Sequence, residues 1–387
     1  MAFYLAIKEI WRTKGRFLLF SGVIALITML VLFVAALAEG LGSGNRQYIE
    51  KLNADLVVYQ SNVDLSAGAS RIGVSGLNKI RRVDGVKAVG PVGAASVTLV
   101  SPVKEGADPL NVALIGVEPG LPGEPPAFEG RQLGGRQSRE AVLDRNVALR
   151  TGVQVGDVIT IKSIQDTREQ FYELRVVGIS DGRQYSLQPS IIIPFRTWEE
   201  LRPQAVVGGA PGAELVANIV AVQLDNPADR DAMAQRIGAE VRNVEVVDTV
   251  TAYKATPGYS AQQSTLDTQR YFALLIGILV IGGFFQILTL QKVAQIGMLK
   301  AIGAPNSVIG TAAILQIIAV TIAGVAAGAA ASLALSLGFP PQVPIIFSPA
   351  AVVAAVGSLL LIGPIGGLVS VRYSLKVEPL TALGLAQ

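Results

Sequence analysis

The sequence predicts an α-helical membrane domain of four transmembrane helices, with a large mixed α/β extracytoplasmic domain inserted between helices 1 and 2. Three observations carry this expectation. First, 51% of the 387 residues are hydrophobic and only 16% are charged, too apolar for a soluble enzyme of this length. Second, residues 17–38, 271–290, 306–337 and 349–371 carry no charge, and each reaches the roughly 20 residues that a helix needs to cross a bilayer. Third, the intervening 39–270 holds 27 of the 29 acidic and 24 of the 32 basic residues, so it is net −3 while the remainder is +6. Positive charge collects on the cytoplasmic side of a membrane. Both termini and 291–305 are therefore expected inside, in the cell (cytoplasmic or inner) membrane, with the large domain outside. The pI near 9.0 is then a topology signal and not a nucleic-acid footprint.

Taken in order, residues 1–16 carry Lys8, Arg12, Lys14 and Arg16 against Glu9 alone. Helix 1 follows at 17–38. Its end, Ala36-Leu37-Ala38, resembles a signal-peptide cleavage site, but the apolar core is longer than a signal h-region and later spans hold the chain in the membrane. Gly40, Gly42 and Gly44 read as a hinge leading into the outer domain. There the patterning predicts strands at 55–59, 86–92, 96–100, 112–117, 158–161, 172–177, 190–193, 219–224 and 244–247. Helices are expected near 75–82, 144–150, 197–202 and 228–242, the last after Asn226-Pro227. Two Pro/Gly-rich passages, 116–135 and 203–212, are expected to join two lobes.

Helix 2, at 271–290, runs on into a basic segment, 291–305. Within it Val293, Ile296, Leu299 and Ile302 recur every three residues, giving one apolar and one polar face. Gly303, Ala304 and Pro305 end it, since Gly suits a helix C-terminus and Pro cannot continue one. Spacing alone leaves open a force-transmitting helix or a solvated surface helix with snorkelling lysines. Helix 3, at 306–337, has Ser307 available as a cap, and Gly324 and Gly328 lie on a small-residue face suited to close helix packing. A short outer loop, 338–348, contains Pro340, Pro341 and Pro344. Helix 4, at 349–371, is expected to kink at Gly363-Pro364. The tail is 372–387.

Catalytic chemistry is hard to place on this chain. With no Cys and no His, disulfides, zinc sites and His-based triads are excluded. No G-x-x-x-x-G-K-[ST] occurs, so a P-loop ATPase is excluded as well. The chain reads as a non-catalytic membrane subunit with no catalytic or metal-site residues. Near the outer leaflet Met29, Phe33, Glu39 and Tyr271 admit two readings. They could line a cavity for an amphiphile, or they could be ordinary lipid-facing, interfacial and water-facing residues.

The string QKVAQIGMLKAIGAPNSVIG resembles the cytoplasmic loop of permease subunits in the MacB/FtsX-like class of ABC transporters (type VII), with a pattern like R-E-I-G-x-L-[RK]-A-[IL]-G-A. Ile296, Gly297, Leu299, Lys300, Ala301, Ile302, Gly303 and Ala304 fit, while Ala294 and Gln295 replace the usual Arg-Glu pair. AIKEIWRTKGRFLLF resembles the class opening, an amphipathic basic helix running into helix 1. EAVLDRNVALRTGVQVGDVITI is similar to its outer domain, and SVRYSLKVEPLTAL to its closing pattern, at Glu378, Pro379, Ala382 and Leu383. Within the class, the QK before the loop and the N-terminal region look most like the DevC/HrtB branch. The resemblance implies a homodimer in the lipid bilayer with two copies of a separate ATPase, which binds the ATP and Mg. Lys292, Gln295–Gly297 and Leu299–Gly303 would then contact the ATPase and couple its closure to the membrane helices by mechanotransmission. The chain itself would hold no cofactor, heme entering only as one candidate substrate beside glycolipid and hydrophobic drug. An extracytoplasmic adaptor is compatible with this architecture. Efflux of an amphiphile is the first function implied. The alternative is an FtsX-like transducer that transports nothing and regulates an outer cell-wall hydrolase or sensor.

Overall fold

A computed structural model describes residues 2–101, 109–203, 216–256, 258–339 and 345–376. The chain divides into two compact units, Met1–Gly40 with Gln263–Gln387, and Leu41–Gln262. It opens with α1 (Ala2–Arg12) and α2 (Lys14–Glu50). Then come β1 (Leu56–Gln60), β2 (Ile72–Gly73), α3 (Val74–Arg81) and β3 (Val86–Ser101). Strands β4 (Leu110–Val117), β5 (Ala127–Gly130) and β6 (Glu140–Asp144) precede α4 (Arg145–Thr151). Strands β7 (Val158–Gln165), β8 (Arg168–Ser180) and β9 (Ser190–Pro194) precede α5 (Phe195–Leu201). The Leu41–Gln262 unit continues with β10 (Val216–Ala217), β11 (Ile219–Leu224), α6 (Arg230–Glu240), β12 (Val244–Asp248) and α7 (Thr249–Lys254). Last come α8 (Tyr259–Gln291), α9 (Val293–Ala301), α10 (Asn306–Ser336) and α11 (Pro349–Lys376).

In the Leu41–Gln262 unit one sheet takes in nearly every strand, in the order β12-β1-β11-β3-β4-β9-β6-β8-β5, with β7 bridging β3 and β8. Its two faces bury separate apolar layers, one around Leu99, Leu114 and Trp198, the other around Tyr48, Tyr59 and Ile115. The expected two lobes are therefore corrected. Strands on both sides of 116–135 share the sheet, and 204–215 lies outside the described residues. The expected strands 86–92 and 96–100 are a single strand, because Gly93-Ala94-Ala95 pairs in register with Leu114-Ile115-Gly116 of β4. Asp144 precedes α4 as its N-cap, its carboxylate accepting from the Asn146 amide at 2.9 Å.

The Gly40–Gly44 hinge is also corrected, since α2 stays helical to Glu50. The reason lies downstream, where Tyr48, Ile49 and Leu52 are fully buried against the sheet. That burial outweighs the low helix propensity of the glycines. Lys51 then fastens the segment, its ammonium donating to Asp181 Oδ2 at 2.7 Å and to the Gly182 carbonyl at 3.0 Å. Arg183 donates to Asp181 Oδ1 at 2.7 Å and to the Lys51 carbonyl.

In the other unit, apolar residues of four helices converge: Phe17, Ile24 and Val31 of α2, Ile281 and Phe285 of α8, Ile317 and Val320 of α10, and Ala355 and Leu359 of α11. Among the described residues three helices are long and apolar enough to cross a membrane, over Lys14–Gly44, Tyr259–Ile287 and Asn306–Ser336. The apolar stretch of α11, Pro349–Leu361, is shorter, and the helix continues through Pro364 to Lys376. Pro305, not Ser307, caps α10. Where α10 crosses α2, the Ser21 hydroxyl donates to the Val320 carbonyl at 3.4 Å. At this crossing a Cβ on Gly324 would sit 2.6 Å from Ile24 Cβ, and one on Gly328 would run into the Ala25 carbonyl. Residues 340–344, holding the three loop prolines, and the 377–387 tail lie outside the described residues.

Two predictions follow from this packing. Gly328→Ala should lower the stability of the detergent-purified chain by about 1–3 kcal/mol through overpacking, read as a fall in melting temperature. Gly357→Ala, whose Cβ would meet nothing within 4 Å, should leave it unchanged. The second concerns acid. Burial alone would raise the Asp181 carboxyl, but hydrogen bonds from Lys51 and Arg183 outweigh it and hold the group below the usual carboxylate range. A depressed folded value means stability that is present above the unfolded pKa, about 4, and lost as pH falls through the folded one. Melts at pH 7, 4 and 3 should therefore show a smaller drop over the lowest interval in Asp181→Asn than in the parent chain.

Candidate functional site

The segment between α8 and α10 is built by two sharp backbone changes. Helix α8 ends at Gln291, and Lys292 leaves helical geometry with φ −102° and ψ 0°. The expected unbroken run from helix 2 into 291–305 is thus corrected. At this turn the Lys292 ammonium donates to Gln316 Oε1 at 3.2 Å and lies 5.7 Å from the centre of the Phe17 ring. At the other end the Ala304 amide donates to the Leu299 carbonyl at 3.0 Å and the Gly303 amide to that of Lys300 at 2.9 Å. This is a Schellman closure, with Gly303 at φ +94° where a side chain would be strained.

The nine residues expected to couple to an ATPase thus occupy one short helix and its caps. Ile296 and Gly297 are buried, Leu299 and Lys300 are half-buried, and Gln295 and Ala301 are exposed. The expected apolar face breaks at its last position, because Ile302 is 81% exposed beyond the helix end and stands near exposed Met298. Beside this surface runs a groove of about 470 Å³, bounded by Lys8, Arg12 and Arg16 on one side and by Gln295, Met298 and Ile302 on the other. Among the described residues no acidic side chain lines it. Gln316 was not anticipated, although a lone amide within a charge-free span is the signal that marks it.

The outer-leaflet candidates are more scattered. Met29, Phe33 and Glu39 are half-buried on α2, while Tyr271 on α8 is 71% exposed. The Phe33 ring packs against Phe339 at 5.6 Å between centroids. The neighbouring Ile346 amide donates to the Ala36 carbonyl of α2 at 3.1 Å. Among the described residues no group of three or more His, Cys, Asp or Glu could hold a metal ion.

A double-mutant cycle tests the inward tie. Lys292→Met and Gln316→Leu should each destabilise the chain, and the two together by less than their sum, with a coupling of about 1 kcal/mol for a part-exposed charged hydrogen bond.

Comparison with known proteins agrees with this architecture. Residues 17–240 match the family described as MacB-like periplasmic core domain, and residues 271–379 match the FtsX-like permease C-terminal family. A protein of Staphylococcus haemolyticus named "Putative hemin transport system permease protein HrtB" is 26% identical over 98% of this chain and 99% of its own length. An uncharacterized ABC transporter permease of Mycobacterium bovis is 21% identical over 98% of this chain and 99% of its own. The solved periplasmic region of MacB from Actinobacillus actinomycetemcomitans aligns with 52% of this chain and 92% of its own length, at 14% identity and a TM-score of 0.35. The chain belongs to the MacB/FtsX-like permeases of ABC transporters and is related to HrtB.

Proposed function

We propose that this chain is the permease of an efflux system that expels an amphiphile outward, with heme as the leading candidate. A separate ATPase supplies the energy, as ABC permeases require; two copies of it would act on a homodimer of four-span subunits whose termini are cytoplasmic and whose large domain is outside. The observation that carries the reading is the isolated helix α9. It is set off from both flanking helices, exposes Met298 and Ile302, and is tied through Lys292 to Gln316 of α10 and Phe17 of α2. A partner gripping the exposed side would pull on two membrane helices at once. Coupling would then need no central channel, because displacement of α2 and α8 would close a lateral cavity near Met29, Phe33, Glu39 and Tyr271. Heme leads among amphiphiles because relatives matched over nearly the whole chain are named for hemin transport. With no His or Cys available, Met29, Glu39 or Tyr271 would have to meet the iron.

Hemin titration of the purified complex with its ATPase tests this, following the Soret band and ATP hydrolysis together. A saturable Soret shift with stimulated hydrolysis is expected, with affinity reduced about tenfold in Met29→Ala or Glu39→Ala. Ile302→Asp should keep the Soret shift and lose the stimulation. Absence of any saturable shift would eliminate heme. Stimulation by an outer cell-wall hydrolase instead would favour force transduction.

A further inference from the structure

The Leu41–Gln262 unit contains a cleft of about 340 Å³ on the sheet face that packs Tyr48 and Ile115. Its wall is mostly apolar, with Ile49, Leu65, Ala94 and Ala113 among the lining residues, and among the described residues no charged side chain contributes. Two tyrosines line it, Tyr59 and Tyr185. Tyr59 is 1% exposed, and neither phenol has a hydrogen-bond partner among the described residues. Burial raises both pKa values, that of Tyr185 to about 12, so both hydroxyls stay protonated donors at neutral pH. Tyr185 is half-buried, and neither hydroxyl is sealed from solvent, so both open into the cleft, where the acceptor of a ligand could replace water.

The rim adds an independent sign. Leu65 on one side has φ 53°, and Ser186 and Leu187 on the other have φ 50° and 63°. Ser186-Leu187 is a two-residue turn closed by hydrogen bonds of 2.9 and 3.0 Å between Tyr185 and Gln188. Such a turn ordinarily takes Asn and Gly, and non-glycine residues held in left-handed geometry gather at ligand clamps. Gln188 is held further by the Ser96 hydroxyl at 3.0 Å. Two strained loops thus frame an apolar cleft that holds unpaired donors.

We infer that this cleft binds an uncharged, mainly apolar molecule that presents one oxygen acceptor, such as a ketone or ether, to the Tyr59 and Tyr185 hydroxyls. The charge-free wall sets the class, because an anion buried there would find no cation to offset its lost hydration. The volume suits a compact ligand. This inference stands apart from the export reading, since it uses neither the membrane helices nor heme.

Benzophenone is a fitting probe, having a ketone between two apolar rings that also photolabels nearby C–H groups. The full chain in lipid nanodiscs would be irradiated with benzophenone and its adducts mapped by peptide mass spectrometry. Labelling should appear on the peptides carrying Leu65, Ala67 or Ala94, saturate with concentration, and be displaced by excess fluorenone in the dark-equilibrated sample. In Tyr59→Phe/Tyr185→Phe, which keeps both rings, it should fall at least fivefold while background labelling of the membrane helices stays constant. Labelling confined to the membrane helices, labelling that fluorenone does not displace, or labelling unchanged in a normally melting double variant would each overturn the inference. The first two outcomes are read on the parent chain and do not depend on the variant folding.

Discussion

The fixed point of the Met1–Gly40/Gln263–Gln387 unit is the ammonium of Lys292. It is the first charge in the chain after Arg270, at the end of an apolar helix where an unpaired charge would be costly. Its solution is local and specific: a carbonyl oxygen from the buried Gln316 and the face of Phe17. These contacts sit where α8 stops at Gln291, and that stop makes α9 a separate helix. The Schellman closure at Gly303 and the start of α10 after Pro305 complete the segment. Taken together, these contacts set α9 apart as a short helix whose start is held against α2 and α10. The small-residue crossing at Gly324 and Gly328 brings those same two helices, α2 and α10, into close backbone contact.

The Leu41–Gln262 unit depends on a different anchor. Helix α2 stays helical through three glycines because its last turn, with Tyr48 and Ile49, belongs to the core of the sheet. The Lys51–Asp181–Arg183 cluster then closes this end with charged hydrogen bonds. Apolar burial holds the helix form, and the ion cluster fixes where it ends. Each effect alone is modest, since partly exposed ion pairs contribute little by themselves.

Much of this was legible in the sequence for identifiable reasons. Charge-free stretches marked the apolar helices, because a single charge is expensive in a span. Short apolar, β-branched runs such as Ile219–Leu224, buried at nearly every position, announced themselves as strands, and Gly303 by its place before Ala304-Pro305. Misreadings arose where tertiary contacts override local preference. Gly40, Gly42 and Gly44 read as a hinge, yet burial of Tyr48 keeps them helical. Gly93-Ala94-Ala95 read as a break in what is one strand held by its β4 partner. Short β2, β5 and β10 have too few residues to show a period. The Tyr59–Tyr185 cleft has no local signature, because its walls come from segments far apart in sequence. Gln316 left a trace, a single amide in an apolar span, whose partner only the fold reveals.

The central claim is that motion of α9 reaches α2 through Lys292, held by Phe17 of α2 and Gln316 of α10. Because the chain has no native cysteine, single spin labels can be placed without background at the exposed Ile302→Cys and Leu26→Cys positions. In the proposed homodimer with its ATPase, pulsed electron spin resonance would compare label distances between the two copies of this chain, with and without ATP. The account predicts that both distances change on adding ATP. In Lys292→Met, which removes both contacts, the change at Leu26→Cys should vanish while that at Ile302→Cys persists. A shift at Ile302→Cys with none at Leu26→Cys in the otherwise unaltered chain would contradict it.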